Sequence, residues 1–261
     1  MAPVAATWAR GFGADLTLLH VMETARLASD FAAMEEHFGT LREELQGRLE
    51  RFHTETFRGI AVDRVFKLGH AVDTITAYAE IVEADLIVMP THGWSRYRAL
   101  LLGSVTAGVL HDSPAAVLTA AHSEVRPVAA TPATVVCAID MSGHSAAVLQ
   151  MAGHVAETCG AALHVVHVVP AADTRLAQIE SGIAAAKARE AYEDLAFAAE
   201  IRTPLETVES GAVADGVMDA VARRNADLLV IGRGRMQGVL GRLRTGAHEL
   251  IRRSTCPVLS V

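Results

Sequence analysis

The chain has 261 residues, of which 51% are hydrophobic, and a formal net charge of −7. Its apolar residues fall in short blocks, well below the roughly 18 uninterrupted apolar residues of a membrane span, so we expect a soluble protein. The negative charge argues against a chain that coats nucleic acid or anionic membrane. The amino terminus has no leader pattern and the three cysteines show no CxxC spacing, which together favour a cytoplasmic location.

Short apolar runs alternate with longer stretches of helical period, which predicts strands joined by crossover helices in a parallel sheet. In the first half we expect helices at residues 3–12, 25–54, 72–83 and 104–112, and strands at 16–21, 64–67, 86–89 and 116–118. In the second half we expect strands at 134–139, 162–168, 206–209, 227–231 and 257–261, and helices at 145–159, 173–200, 212–225 and 244–254. Strands such as VVCAI and LLVI lack polar alternation, which predicts a sheet buried on both faces.

The sequence contains an internal repeat. GADLTLLHV at residues 13–21 returns as GAALHVVHV at 160–168, and EADLIVM at 83–89 returns as NADLLVI at 225–231. Two similar domains are therefore predicted, at residues 1–120 and 132–261. Residues 119–133 are interpreted as the linker, because they contain prolines and small residues without apolar periodicity.

The two copies differ at their amino ends. The second begins with a strand and an aspartate, TVVCAID at residues 134–140, that the first copy lacks. Right-handed crossovers and a reversal of winding predict the flavodoxin-like strand order 3-2-1-4-5 for the second copy, with this strand at its centre. The first copy would then lack its central strand, leaving the edges of strands 16–21 and 86–89 either paired directly or unpaired. Either the true start lies upstream of Met1, which we favour, or the domain is a degenerate four-stranded version.

Ligands of doubly wound sheets bind beyond the carboxyl ends of the strands, where the winding reverses. In the first copy, Gly93 is followed after nine residues by Gly103 and Ser104, where a helix is expected to begin. Glycine permits a close backbone approach, and a helix amino terminus offers amide hydrogens and a positive dipole end to a phosphate. Ser104 is expected to cap this helix or to bind a phosphate oxygen.

The pattern resembles the universal stress protein family in its tandem two-domain form, over about residues 7–261. After the fourth strand, nucleotide-binding members carry the motif GxxG, then nine residues, then glycine followed by serine or threonine. They also carry an aspartate at the end of strand one. IDMSGHSAAVL, LHVVHVV, the glycines Gly69 and Gly211 and the terminal CPVLSV also fit. The resemblance implies two flavodoxin-like, Rossmann-like domains of the adenine nucleotide alpha hydrolase type. They would pack through their fifth strands about a pseudo-twofold axis as an intramolecular pseudo-dimer; a further homodimer stays open.

Carried over residue by residue, the resemblance gives the first copy a phosphate loop at Gly93, Gly103 and Ser104. Pro90, however, stands where the family has the first glycine of the loop. The strand-one aspartate is also missing from this copy. Its phosphate half is therefore expected to be better preserved than its adenosine half.

The second copy keeps residues of the adenosine half of the predicted site. The resemblance implies that Asp140 accepts hydrogen bonds from ribose or adenine, with Ser142 beside it, and that the backbone of Val168 meets the adenine edge. A turn or helix-capping role is the other interpretation of Asp140. The loop departs from the family pattern, because one residue instead of two separates the glycines and an arginine and a threonine replace the glycine and serine: Gly232, Gly234, Arg244 and Thr245.

Arg244 has two interpretations. Its guanidinium could bind a phosphate, or its bulk could fill the space that a triphosphate would occupy. Neighbouring Arg233, Arg235 and Arg242 could complete an anion site, while a solvated basic face is the simpler alternative.

We therefore expect a stress-response protein that binds ATP or a related adenine nucleotide as a regulatory ligand, without catalysis. The alternatives are a protein-interaction scaffold with empty, degenerate sites, and a slow nucleotide hydrolase. Asp140, Ser142 and His144 supply the residue types of a catalytic triad, but consecutive loop residues rarely converge, and Ser142 and Ser145 are expected to cap the next helix. The histidines lack metal-ligand spacing, so we predict no metal beyond Mg²⁺ accompanying a nucleotide.

Overall fold

The computed structural model describes residues 1–23, 31–91, 102–120, 129–171, 174–233 and 245–261. The first half forms α1 (Ala2–Phe12), β1 (Leu16–Met22), α2 (Phe31–Arg51), β2 (Val62–Leu68), α3 (Ala71–Ile81), β3 (Leu86–Pro90), α4 (Ser104–Asp112) and β4 (Ala116–Ala120). The second half forms β5 (Thr134–Ala138), α5 (Ser145–Cys159), β6 (Ala162–Pro170), α6 (Arg175–Ala198), β7 (Leu205–Ser210), α7 (Val213–Arg224), β8 (Leu228–Ile231), α8 (Thr245–Arg253) and β9 (Val258–Ser260). The predicted elements are confirmed in type and order. None of the helices in these described ranges is long and apolar enough to cross a membrane.

The second copy forms the predicted sheet. Its strands lie in the order β7-β6-β5-β8-β9, and all of them are parallel. The central strand β5 is covered on both faces: Val135 and Cys137 pack in one apolar cluster with Val148 of α5, while Val136 packs in another with Val217 of α7. This double coverage explains why β5 has no polar alternation.

An antiparallel pairing of β4 with β9 joins the two copies. Leu118 pairs with Leu259, and both side chains are fully buried. The packing through the last strand of each copy is therefore confirmed, and β4 extends to Ala120, beyond the predicted end, because it pairs with β3 up to Pro90. The two copies share one seven-stranded sheet, β3-β4-β9-β8-β5-β6-β7. β4 and β9 run in opposite directions. The carboxyl ends of β3 and β4 therefore lie at the opposite end of this sheet, along the strand direction, from those of β5, β6 and β8.

The rest of the first copy is a separate two-stranded sheet in which β1 pairs in parallel with β2. Within the described ranges, β1 and β3 do not pair with each other, so each presents one open edge. The sequence left open whether these two edges would pair directly or stay unpaired, and the structure shows them unpaired with each other.

Helix α1 packs on the second copy. Trp8 is buried in the same apolar cluster as Val148 of α5, and its indole Nε1 donates to the carbonyl oxygen of Ala130 at 3.1 Å. The repeat is also visible in the backbone, because α1 and α5 both end at a glycine in the left-handed conformation. These residues are Gly13, with φ 61°, and Gly160, with φ 65°. Glycine adopts this conformation without the clash that a Cβ causes, which explains the shared Gly-Ala after each helix.

Candidate functional site

Three of the predicted site residues lie at the carboxyl ends of adjacent strands of the second copy. Asp140 comes two residues after the end of β5, Val168 lies near the end of β6, and Gly232 directly follows β8. The order β8-β5-β6 and the parallel pairing place all three at the same end of the sheet. We call the space that they border the Asp140 crevice.

The backbone of Val168 faces this crevice because β6 continues to Pro170 whereas β5 ends at Ala138. The N–H of Ala162 donates to the carbonyl of Ala133, and the carbonyl of Val166 accepts from the N–H of Ile139 at 3.1 Å. Even-numbered residues of β6 therefore direct their backbone groups towards β5. At Val168 the same direction points past the end of β5, into the crevice.

The carboxylate of Asp140 organises the turn that leads into α5. Its Oδ1 accepts from the backbone N–H of Ser142 at 3.0 Å and from the hydroxyl of Ser145 at 3.3 Å. Asp140 is exposed, and Met141 beside it adopts the left-handed conformation with φ 59°. These contacts agree with the interpretation of Asp140 as a turn residue.

The expected capping of α5 by Ser142 and Ser145 is wrong. The N-cap residue is His144, which makes no side-chain capping hydrogen bond, and Ser145 is the first residue of the helix. The hydroxyl of Ser145 is buried and donates to Asp140 instead. The local sequence did not reveal this because serine, histidine and aspartate all stand where a cap could form.

His167 was not among the predicted site residues, although it contacts the crevice. Its Nδ1 lies 2.9 Å from the carbonyl oxygen of Ile139, the residue before Asp140. The ring therefore helps to hold the end of β5 in place. The repeat contained a signal for this residue, because His20 stands at the corresponding position of the first copy.

Two glycines permit close packing around the crevice. A Cβ at Gly216 of α7 would lie 2.9 Å from both methyl carbons of Val168, and one at Gly232 would lie 3.2 Å from a methyl carbon of Val148. The first distance is too short for any side chain without a shift of Val168. Gly216 thus fixes the position of β6 at the crevice.

Arg233, which one interpretation of the sequence places in an anion site, binds backbone carbonyls of the first copy. Its guanidinium donates to the carbonyl oxygens of Leu110, Ser113 and Ala115, at 3.3, 2.8 and 2.9 Å respectively. All three acceptors belong to the first copy, at the end of α4. Of the other loop residues, Gly234, Arg235, Arg242 and Arg244 lie outside the described residues, and α8 begins at Thr245.

The predicted phosphate loop of the first copy is only partly described. Gly93 lies outside the described residues, whereas Gly103 is the N-cap of α4 and its N–H donates to the carbonyl of Thr91 at 2.8 Å. Ser104 is the exposed first residue of the helix, and no side chain caps α4, so the capping role expected for Ser104 is wrong. Gly103 and Ser104 follow β3, at the opposite end of the sheet, along the strand direction, from Asp140. The two preserved halves therefore do not combine into one site.

A cavity of about 440 Å³ lies where the two copies meet, beside Arg233 and the carboxyl-terminal residue Val261. Its wall also carries Glu80, Glu83 and Asp85. These three carboxylates outnumber the single positive charge of the Arg233 guanidinium, so the wall is acidic and disfavours a polyphosphate. This cavity is therefore not the candidate nucleotide site.

The described residues contain no group of three or more His, Cys, Asp or Glu side chains that could hold a metal ion. Among the described residues, the Asp140 crevice offers a ligand backbone groups and a carboxylate, and α8 begins at Thr245 on the chain that follows Gly232. Such groups hydrogen-bond sugar hydroxyls and base edges, and a helix amino terminus attracts phosphate.

The fold and the crevice define a protein with two flavodoxin-like α/β domains. The model of the universal stress protein family matches residues 3–120 and 133–261. The chain therefore belongs to the universal stress protein family.

Solved structures show the same fold. The chain is similar to a universal stress protein from Archaeoglobus fulgidus, with 24% identity and a TM-score of 0.72 over 99% of this chain and 89% of that one. A Pseudomonas aeruginosa structure described as a universal stress protein has 19% identity and a TM-score of 0.67 over 98% of this chain and 86% of that one. At these identities the likeness concerns the fold alone.

A curated relative is closer in sequence over a shorter segment. The universal stress protein Slr1230 of Synechocystis sp. is 41% identical over 61 residues. The matched segment spans 23% of this chain and 21% of that relative. The match therefore covers about a fifth of the relative's length.

Proposed function

We propose that the second copy binds an adenine nucleotide of the ATP type in the Asp140 crevice, as a regulatory ligand of a stress-response protein. The observation that carries the proposal is the early end of β5, which leaves the backbone N–H and C=O of Val168 directed into the crevice beside Asp140. A backbone donor and acceptor on one strand match the edge of adenine, which presents both a donor and an acceptor.

The carboxylate of Asp140 would accept hydrogen bonds from the ribose hydroxyls. Its contacts with Ser142 and Ser145 hold it at the mouth of the crevice. An exposed carboxylate in this position suits the hydroxyl donors of a ribose. Met141 supports a ligand role because left-handed residues other than glycine cost about 1–3 kcal/mol and concentrate at binding sites.

The phosphate groups would extend towards Gly232 and the start of α8. Gly232 has no side chain between its backbone and a ligand. The amino terminus of α8 at Thr245 has amide hydrogens without intrahelical partners and a positive dipole end. Mg²⁺ would reach the site only together with the phosphates. We propose no hydrolysis.

Calorimetric titration of the full chain with ATP, AMP, GTP and inorganic triphosphate tests the proposal. We expect saturable binding of ATP and AMP and weaker binding of GTP, because guanine exchanges the donor and acceptor positions at its edge. Binding of triphosphate as tightly as ATP would show that only an anion is recognised. Absence of binding by every ligand would favour the alternative of a scaffold with empty sites.

A further inference from the structure

We propose that an exposed apolar stripe on α6 is a docking site for a basic amphipathic helix of another protein. The stripe consists of Leu176, Ile179 and Ile183, whose exposed fractions are 67%, 56% and 52%; we call it the α6 stripe. Its spacing of i, i+3 and i+7 aligns side chains along one face of a helix. The inference does not rest on nucleotide binding, because the stripe lies outside the Asp140 crevice.

The α6 stripe lies on the outer side of its helix. The inner side packs on the second copy through Ser181, Ala188 and Tyr192, each at most 5% exposed. Ile183 and Tyr192 are nine residues apart, which at about 100° per residue places their side chains on opposite sides of the helix. The stripe residues are therefore surplus to the core of the domain.

Two hydrogen bonds fix the rotation of α6 about its axis. The hydroxyl of Tyr192 donates to the carbonyl oxygen of Thr203 at 2.6 Å, and the guanidinium of Arg189 donates to the hydroxyl of Thr207 in β7 at 2.9 Å. The helix also packs on β6 and β7, and β7 is the outermost strand at the end of the sheet opposite β3. The α6 stripe thus stands on a fixed surface at the end of the sheet farthest from the first copy.

The shape of the stripe suits a helix. Single exposed apolar side chains are common on protein surfaces, whereas contiguous groups of them mark sites of interaction. The stripe residues lie on successive turns, so they form one ridge, and such a ridge packs into the groove between the side-chain rows of a second helix. Exposed Ala186 continues the spacing at i+10, where its small side chain leaves room for a larger one from the docked helix.

Carboxylates around the stripe set the charge of the occupant. The exposed carboxylates among the described side chains of α6 are Glu180, Glu190, Glu193 and Asp194. Glu190 and Asp194 continue the line of the stripe towards the carboxyl end of the helix, seven and eleven residues after Ile183. Lys187 offsets part of this charge, and Arg189 is bound to Thr207. A helix that docks along this line therefore needs lysine or arginine beside its apolar residues.

The same carboxylates disfavour a second copy of this chain as the occupant. Each copy has a formal net charge of −7. A two-fold axis brings equivalent surfaces together. An antiparallel pairing of two stripes would place Glu180 near its own counterpart, and a parallel pairing would do the same to Glu190 and Asp194. Like charges in contact oppose both arrangements.

Two designed helical peptides and the full chain test the proposal. Both peptides carry leucines at the a and d positions of successive heptads, with lysines at the remaining positions in one and glutamates in the other. We expect saturable binding of the lysine peptide and at least about tenfold weaker binding of the glutamate peptide, because only the first complements the carboxylates of α6. Equal binding of both peptides, or binding of neither, overturns the proposal.

A pair of variants separates docking on the stripe from general attraction to an acidic protein. Ile179→Glu removes an apolar contact and adds a negative charge. Ile81→Glu adds the same charge at a 78% exposed position of α3 and is the matched control. We expect Ile179→Glu to weaken binding of the lysine peptide at least about tenfold, and Ile81→Glu to leave it within about twofold. Unchanged or tighter binding by Ile179→Glu overturns the proposal.

Ile183→Glu repeats the test at a second position of the stripe, with thermal melts to confirm that each variant is folded. Sedimentation of the chain alone checks the identity of the occupant. We expect no dimer that depends on the stripe. A dimer of the unsubstituted chain that Ile179→Glu or Ile183→Glu dissociates overturns the proposal, because a second copy would then cover the stripe.

Discussion

Arg233 binds Ser113 across the junction of the two copies: a guanidinium N–H donates to the Ser113 carbonyl oxygen at 2.8 Å. The acceptor lies just past α4, where the unpaired carbonyls and the helix dipole favour a cation. The backbone N–H of Arg233 also donates to the carbonyl of Val261 at 3.0 Å. The residue that follows Gly232 at the Asp140 crevice is thus attached to the first copy, so the crevice and the junction share one segment of chain.

Arg233→Ala should lower the free energy of unfolding by about 1–3 kcal/mol, because partly buried carbonyl groups lose their donors. Arg233→Lys should recover only part of this loss, since an ammonium group lacks the planar fork that reaches several carbonyls. Urea denaturation followed by circular dichroism measures both. Arg252→Ala, at an exposed position of the neighbouring α8, is the control and should change stability by no more than about 0.5 kcal/mol. Equal stability of the Arg233→Ala and Arg252→Ala variants would refute the structural role.

Gly216→Ala should destabilise the protein by about 1–3 kcal/mol, because the new Cβ would lie 2.9 Å from both methyl carbons of Val168. The shift of Val168 should also weaken ATP binding. Gly182→Ala is the matched control: this helical glycine has no atom within 4 Å of its would-be Cβ, so alanine there should stabilise the protein by about 0.5–1 kcal/mol. Thermal melts and an ATP titration separate the two effects. Equal changes in melting temperature and ATP affinity in both variants would contradict the packing described around Val168.

Acidification below pH 6.5 should destabilise the protein. Burial lowers the pKa of His20, His164 and His248 from the ordinary value of 6.5, with the positive charges of Arg48 and Arg224 adding to the effect at the first two. A histidine with a lowered folded-state pKa binds fewer protons when folded. Its stabilising contribution is therefore complete above pH 6.5 and is lost as the pH falls towards the folded-state pKa.

Urea denaturation between pH 7.5 and 5.5 checks this prediction. His248 gives the sharpest variant, because its Nε2 is buried and has no hydrogen-bond partner in the described part of the chain. His248→Leu should make the decline of stability with acid shallower. A slope identical to that of the unsubstituted protein would show that His248 does not contribute.

The order of strands and helices could be predicted because local signals agreed with the final packing. The unbroken apolar residues of Val135 to Cys137 indicated a strand covered on both faces, and the Gly-Ala pairs at Gly13 and Gly160 marked helix ends. The open edges of β1 and β3 followed from the repeat. The pairing of Leu118 with Leu259 was expected from the family resemblance rather than from the residues themselves.

The details of the site depended on contacts that no local pattern encodes. Arg233 is one of several arginines in its loop, and only the folded chain brings it to Ser113, which is 120 residues away along the sequence. Asp140 and Ser145 likewise share a hydrogen bond that the spacing of polar residues left undecided. The left-handed conformation of Met141 has no sequence signal, because methionine rarely adopts it.

The most direct test of the proposed function compares ATP titrations of the unsubstituted chain, Asp140→Ala and Ser145→Ala. If Asp140 binds the ribose, its removal should weaken ATP binding by about tenfold to a hundredfold, the usual effect of losing a hydrogen bond to a charged group. Ser145→Ala removes one contact that holds the Asp140 carboxylate but leaves the carboxylate itself, so its effect should be clearly smaller. Unchanged ATP affinity of Asp140→Ala, or equal losses in both variants, would contradict the account.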